Sequence, residues 1–110
     1  KRKKLKSIEI PDSITRLDSS VFSGCSSLEY AILPKNLENV PSNTFEKCTK
    51  LTTVVLPESI VHIGSSAFYI CDNLKKIIFL GTMEQWNNIS ISSGNNILTS
   101  GNIEISVQTD

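Results

Sequence analysis

Four leucines recur at a constant interval of 23 residues, at Leu5, Leu28, Leu51 and Leu74. When each leucine is numbered position 0 of a unit, positions 3, 5, 9 and 12 are apolar in all four units. Three further positions carry one residue type in successive units: Pro11, Pro34 and Pro57 at position 6; Phe22, Phe45 and Phe68 at position 17; Cys25, Cys48 and Cys71 at position 20. A fixed period of roughly 20 to 50 residues is the signature of a protein built from stacked repeats. The sequence therefore predicts a solenoid.

Each unit is predicted to begin with a short strand. The apolar residues at positions 3 and 5 alternate with positions 2 and 4, which is typical of a half-buried strand. The proline at position 6 ends the strand because it has no N–H to donate to a ladder. Positions 9 and 12 indicate a second turn or a short extended stretch. Serine at position 14 (Ser19, Ser42 and Ser65) favours the N-cap of a short helix or 3₁₀ turn.

One unit alone cannot bury these side chains, but stacked units bury like residues on like residues, ~4.8 Å apart along a strand ladder. We expect a right-handed coil of 23-residue units with one parallel β-sheet, short turns or helical segments, and the phenylalanines as an internal spine. The full units are residues 5–27, 28–50 and 51–73.

Residues 74–107 form a different, closing unit. Its pattern changes after Phe79, and a final alternating run, Ile103 to Val107, predicts another strand in which Ile103 and Ile105 take positions 3 and 5. Terminal repeats are atypical because they cover the open end of the core, and Trp86 is a candidate lid. No comparable cap precedes Leu5, so we expect the single domain of residues 1–110 to be the C-terminal part of a longer array.

Charge and hydropathy exclude two classes of partner. Eleven basic residues balance eleven acidic ones, which argues against a nucleic-acid binder that works by neutralising phosphates. Five of the basic residues lie within residues 1–6, a run that is typical of a solvated terminus. No apolar run approaches the ~20 residues of a membrane span, so direct membrane insertion is not expected.

The unit from Leu5 to Leu28, with Ile8-x-Ile10-Pro11 and Val21-Phe22-x-Gly24-Cys25, resembles the BspA-like leucine-rich repeat. The resemblance runs from Leu5 to about Val107, and the segments 81–87 and 93–96 resemble the closing unit of bacterial members. Two departures are that Ile-Gly at positions 12 and 13 and Ala-Phe at positions 16 and 17 occur only in the third unit. The resemblance implies a leucine-rich-repeat solenoid from a secreted or cell-surface protein that binds host or matrix proteins, without catalysis or cofactor.

The three cysteines invite a chemical interpretation. At ~4.8 Å apart they would fall within the rough 4.4–6.8 Å Cα range of a disulfide. Their number is odd, however, and their spacing is not the CxxC type of a metal site. Cysteine is commonly a small buried residue, so we expect a ladder of buried thiols, with a disulfide or a metal site as the alternatives. His62 is the only histidine, and without a partner it predicts no catalytic or metal site.

The outward strand positions are the better functional candidates. Positions 2 and 4 should place an apolar stripe with a tyrosine on the open face of the sheet: Tyr30, Ile32, Thr53, Val55, Lys76 and Ile78. Exposed apolar patches on solenoid sheets often mark protein contacts, although β-branched residues also favour strands without any binding role. The leading hypothesis is a monomeric, non-enzymatic protein-interaction or adhesion module.

Two other functions remain open. Carbohydrate binding usually needs exposed aromatic rings, and only Tyr30 and Tyr69 are candidates if Trp86 is buried in the cap. A purely structural spacer between other domains would need no binding surface.

Overall fold

Parallel strands from successive repeats pair side by side in the computed structural model, which describes residues 4–108. In chain order the elements are β1 (Ser7–Glu9), β2 (Tyr30–Ile32), β3 (Asn39–Val40), β4 (Thr53–Leu56), β5 (His62–Ile63), β6 (Lys76–Phe79), α1 (Met83–Asn87), β7 (Ser90–Ile91), α2 (Asn96–Thr99) and β8 (Glu104–Ser106). The order β1-β2-β4-β6-β8 forms a five-stranded parallel sheet. The solenoid predicted from the repeat is confirmed.

The register of this sheet follows the 23-residue period. Ile8 pairs with Ala31, Ala31 with Val54, and Val54 with Ile77. Because position 3 always meets position 3, its side chains form one buried column, in which Ala31, Val54 and Ile77 are fully buried.

The predicted register of the last strand was wrong by two residues. Ile77 pairs with Ile105, so Ile105 rather than Ile103 takes position 3. Ile103, Ile105 and Val107 have the same parity and all pack partly against the core. A shift of two residues keeps the same side chains on the same face, and therefore the alternation alone could not distinguish the two registers.

A second sheet, which the sequence indicated only as a turn or a short extended stretch, has the order β3-β5-β7. Val40 pairs with Ile63, and Ile63 with Ile91. This sheet begins at β3 because of position 13. Gly64 donates its N–H to the Val40 carbonyl at 2.7 Å, whereas Pro41, at the same position one unit earlier, has no N–H to donate to Leu17.

The segments after the second sheet are turns, at residues 19–24, 42–47 and 65–70, and the predicted helix N-caps were wrong. Alternate N–H groups donate to the next coil, Phe22 to the Thr44 carbonyl at 3.1 Å and Phe45 to the Ala67 carbonyl at 2.8 Å, while others, such as that of Glu46 to the Asn43 carbonyl at 3.2 Å, close single local turns. Left-handed backbone at two unit positions produces this geometry, at Ser20, Asn43 and Ser66 and again at Gly24, Lys47 and Ile70.

The phenylalanine spine is the centre of the core. The Phe22 and Phe45 rings stack with centroids 5.7 Å apart, and the Phe45 and Phe68 rings with centroids 5.4 Å apart. Phe45 is fully buried between its two neighbours. Such offset stacking adds to the stabilisation that burial of the rings supplies.

The closing unit covers the far end of this core. Thr82 and Gln85 form a capping box at the start of α1. The helix brings Trp86 to a tilted contact with Phe79, with ring centroids 5.6 Å apart, and Trp86 packs partly buried against the core. Within residues 4–108, no helix is long and apolar enough to cross a membrane.

Replacement of Phe45 by alanine should lower the free energy of unfolding by about 3–5 kcal/mol, because a buried aromatic ring is lost and a cavity is left in the spine. Urea unfolding followed by circular dichroism measures this change. Val61→Ala is the control, since Val61 is 58% exposed, and its effect should stay within about 0.5 kcal/mol. A loss below about 1 kcal/mol for Phe45→Ala would contradict a central role for the spine.

Candidate functional site

The six candidate residues lie in two rows on the outer face of the five-stranded sheet. One row is Ile32, Val55 and Ile78, and the other is Tyr30, Thr53 and Lys76. Successive strand residues point to opposite faces, and positions 3 and 5 point into the core. The sequence therefore placed all six residues on neighbouring strands correctly.

Their accessibility differs from the expected open stripe. Val55 is only 8% exposed, because it lies between β-branched residues of both adjacent strands. Ile32 and Ile78 are half-buried, and Tyr30 is 38% exposed. Tyr30, Ile32 and Ile78 therefore supply the accessible apolar surface, and Val55, which lies between Ile32 and Ile78, is buried.

Charged residues border this outer face. The Lys76 ammonium lies 3.8 Å from a carboxylate oxygen of Glu104; the Lys76 side chain is partly exposed and that of Glu104 is largely exposed. Glu9 on β1 pairs with Ile32 and so extends the row of Ile32, Val55 and Ile78 at the end away from Glu104. An exposed ion pair contributes little to stability, so this one affects the charge of the face more than the fold. The sequence missed Glu104 here because its strand register was predicted wrongly.

The cysteine column consists of three buried thiols, as the sequence predicts. The Cys48 Sγ donates to the Phe22 carbonyl, and the Cys71 Sγ donates to the Phe45 carbonyl, each at 3.1 Å. Burial raises the pKa of both thiols from 9.0 to about 12. The thiolate is the nucleophile and metal ligand, so these groups are chemically inert at neutral pH and serve to connect adjacent coils.

His62 has a neighbour that the sequence did not reveal. Its Nε2 lies 3.5 Å from the Ser92 hydroxyl, because β5 pairs with β7. This distance is at the outer limit of a hydrogen bond, and in residues 4–108 no carboxylate is hydrogen-bonded to the imidazole. The pair therefore lacks the third group that orients a catalytic base. In the same part of the chain, no three His, Cys, Asp or Glu side chains are placed to hold a metal ion.

Asn95 is a structural residue that sequence reasoning missed, because Gly94-Asn95-Asn96 looked like an ordinary turn. Its side chain is 3% exposed, and its Oδ1 accepts the Phe68 N–H at 3.0 Å. In the unit before, the equivalent N–H of Phe45 donates to a backbone carbonyl of the next coil. The asparagine thus replaces the backbone of a further coil at the closed end.

The other end of the same amide completes this cap. Asn95 Nδ2 donates to the Gly64 and Ser92 carbonyls, both at 2.9 Å. Gly94 has φ +83° and approaches Ser66 so closely that a Cβ would collide with it. This close approach brings Asn95 into reach of the third repeat.

The comparisons with known proteins agree with this architecture. Residues 1–109 match the family described as BspA type leucine rich repeat region, in six copies. The chain belongs to the BspA-type leucine-rich repeat family. No curated protein matches the sequence significantly.

A similar solved structure is that of a leucine rich cell surface protein from Faecalibacterium prausnitzii A2-165, with 31% sequence identity and a TM-score of 0.71. The similarity covers 82% of this chain and 30% of that protein's chain, so the present chain spans less than a third of its relative. The repeat module is therefore of a kind found in bacterial surface proteins.

Replacement of Asn95 by alanine should destabilise the domain by about 2–4 kcal/mol, because the buried Phe68 N–H loses its acceptor and the Gly64 and Ser92 carbonyls each lose one donor. Thermal and urea unfolding measure the effect. Asn96→Ala is the matched control, since the Asn96 side chain is exposed and its loss should change stability by less than about 0.5 kcal/mol. Equal stability of the two variants would show that Asn95 does not close the solenoid.

The buried thiols should make stability depend on alkaline pH. Between pH 9.0 and about 12 the unfolded chain releases protons from Cys48 and Cys71 that the folded chain retains. The free energy of unfolding should therefore be fully retained below pH 9.0 and fall above it by up to about 1.4 kcal/mol per pH unit for each thiol. Urea titrations across this range measure the slope. The double variant Cys48→Ala, Cys71→Ala should show a smaller slope, and an identical slope would contradict the assignment.

Proposed function

We propose that this domain is a non-catalytic protein-interaction module displayed at the bacterial cell surface, and that the outer sheet face is its contact surface. The observation that carries the proposal is the combination of Tyr30, Ile32 and Ile78 as accessible apolar groups on one rigid sheet. Tyrosine is enriched at protein interfaces because its ring is large and loses little conformational entropy.

The fold suits such a surface. The strands that present these residues are fixed from behind by a column of fully buried side chains. Binding would therefore order few groups, which keeps its entropic cost low. The Lys76–Glu104 pair supplies the polar border that surrounds a typical interface.

The partner that fits is a host or matrix protein with an apolar patch, bound by a monomer of this chain. Membership of the BspA-type family and similarity to a leucine rich cell surface protein support display at the cell exterior. A pure spacer function gives no role to the accessible apolar groups on the sheet.

The test places a charge at an apolar position of the outer sheet face. Ile32→Lys should weaken binding to purified matrix proteins immobilised on a biosensor by roughly tenfold or more, because a desolvated ammonium would be placed inside the interface. Val61→Lys is the matched control: Val61 is an exposed β-branched residue just before β5, outside the five-stranded sheet.

The control should bind like the unaltered domain. If Ile32→Lys and Val61→Lys bind equally well, the outer sheet face is not the contact surface. If the unaltered domain binds none of the immobilised proteins, an adhesive role towards that class of partner is excluded and the spacer function is favoured.

A further inference from the structure

A second surface lies away from the outer sheet face, where the turn of the third repeat meets the closing unit. It is a cleft of about 300 Å³. The groups that matter to its chemistry are Tyr69, Ile70, Asp72, Gly94, Asn96 and Ile97. This volume is at the lower end of ligand pockets and suits one small ring rather than a drug-sized molecule.

The lining combines an accessible aromatic ring with polar groups that the fold does not use. Tyr69 is 48% exposed and Ile70 is 38% exposed. Asp72 and Asn96 are also exposed. Within residues 4–108 no hydrogen bond is made by the Tyr69 hydroxyl, the Asp72 carboxylate or the Asn96 side-chain amide.

Neighbouring asparagines behave differently. The Asn73 side-chain amide donates to the Thr49 carbonyl at 2.8 Å, and Asn95 makes the buried bonds of the cap. The side chains of Asn73 and Asn95 are thus hydrogen-bonded within the fold, while the Asn96 amide keeps its donors and acceptor for another molecule.

The two walls of the cleft are held rigidly together. The Phe68 N–H donates to Asn95 Oδ1 at 3.0 Å, which joins the residue before Tyr69 to the residue before Asn96. On its other side the Tyr69 carbonyl accepts the Lys47 N–H at 2.8 Å, and the Tyr69 N–H donates to the Ser66 carbonyl at 3.2 Å. The backbone segments that carry Tyr69 and Asn96 are therefore fixed before a ligand arrives, which reduces the cost of binding.

We propose that this cleft binds a neutral hexopyranose unit of a glycan. The C–H face of a pyranose ring is apolar and packs on an aromatic ring, here Tyr69, beside Ile70. A carboxylate and an amide together accept from and donate to neighbouring sugar hydroxyls, which is the role of Asp72 and Asn96. The negative charge of Asp72 disfavours acidic sugars.

The experiment is saturation-transfer difference NMR on the full chain with methyl β-D-glucopyranoside, methyl β-D-galactopyranoside and methyl β-D-glucuronide. One or both neutral glycosides should bind with millimolar affinity, with the strongest transfer to protons on one face of the ring. The glucuronide differs from the glucoside only in its carboxylate, and it should bind at least roughly tenfold more weakly.

Variants locate the site. Tyr69→Ala should weaken binding roughly tenfold or more, whereas Tyr30→Ala removes the exposed tyrosine of the sheet face and should leave sugar binding unchanged. Asn96→Ala, which removes an exposed side chain without a hydrogen bond, should also weaken binding and keeps the test valid if Tyr69→Ala misfolds. Asp72→Asn should remove the discrimination between glucoside and glucuronide.

Three results would overturn the proposal. They are no transfer to either neutral glycoside, equal loss of binding in Tyr30→Ala and Tyr69→Ala, or a glucuronide that binds as well as the glucoside. Ile32→Lys tests the sheet face with protein partners, so the protein-binding proposal and the sugar-binding proposal can fail independently of each other.

Discussion

Parallel pairing between backbones one repeat apart is the constraint on which the rest of this structure depends. A strand residue of the repeats lies beside the residue 23 positions away, so each column of the sequence becomes a column in space. The stacked phenylalanines, the thiols that donate to the preceding coil and the two outer rows all result from this single register. A unit that slipped against its neighbour would disturb every column together, which explains why stability in repeat proteins is shared between adjacent units.

Much of the architecture could be predicted because repetition supplies its own alignment. Phe45 and Cys48 were placed in the core from their intervals alone, and both are fully buried. The outer rows were predicted for the same reason, since the parity of a strand is set once its inward residues are known. One failure lies where the repetition stops: the connection that contains α1 and α2 shifts the register of the last strand by two residues, and parity does not detect that shift.

The turns failed for a different reason. Serine at position 14 is compatible with a helix cap, but the residue after it has a left-handed backbone conformation, and backbone N–H groups of the turn donate to carbonyls of the next coil. Asn95 was missed because its role depends on a carbonyl and an N–H from the preceding coil, and no local pattern marks such a partner. The burial of Val55 could not be predicted from the sequence either, because it depends on how the side chains of both neighbouring strands cover it.

The proline at position 13 of the second unit has a mechanical consequence. Later coils of the described chain are joined by both sheets, whereas the first and second coils share the five-stranded sheet, with the adjoining bond from the Lys35 N–H to Asp12 Oδ1, and the turn that follows residue 18. Between those two attachments, residues 13–16 are exposed. Under tension along the solenoid axis, this junction should therefore separate before the junctions between the later coils of residues 4–108, because it lacks the second ladder of backbone hydrogen bonds.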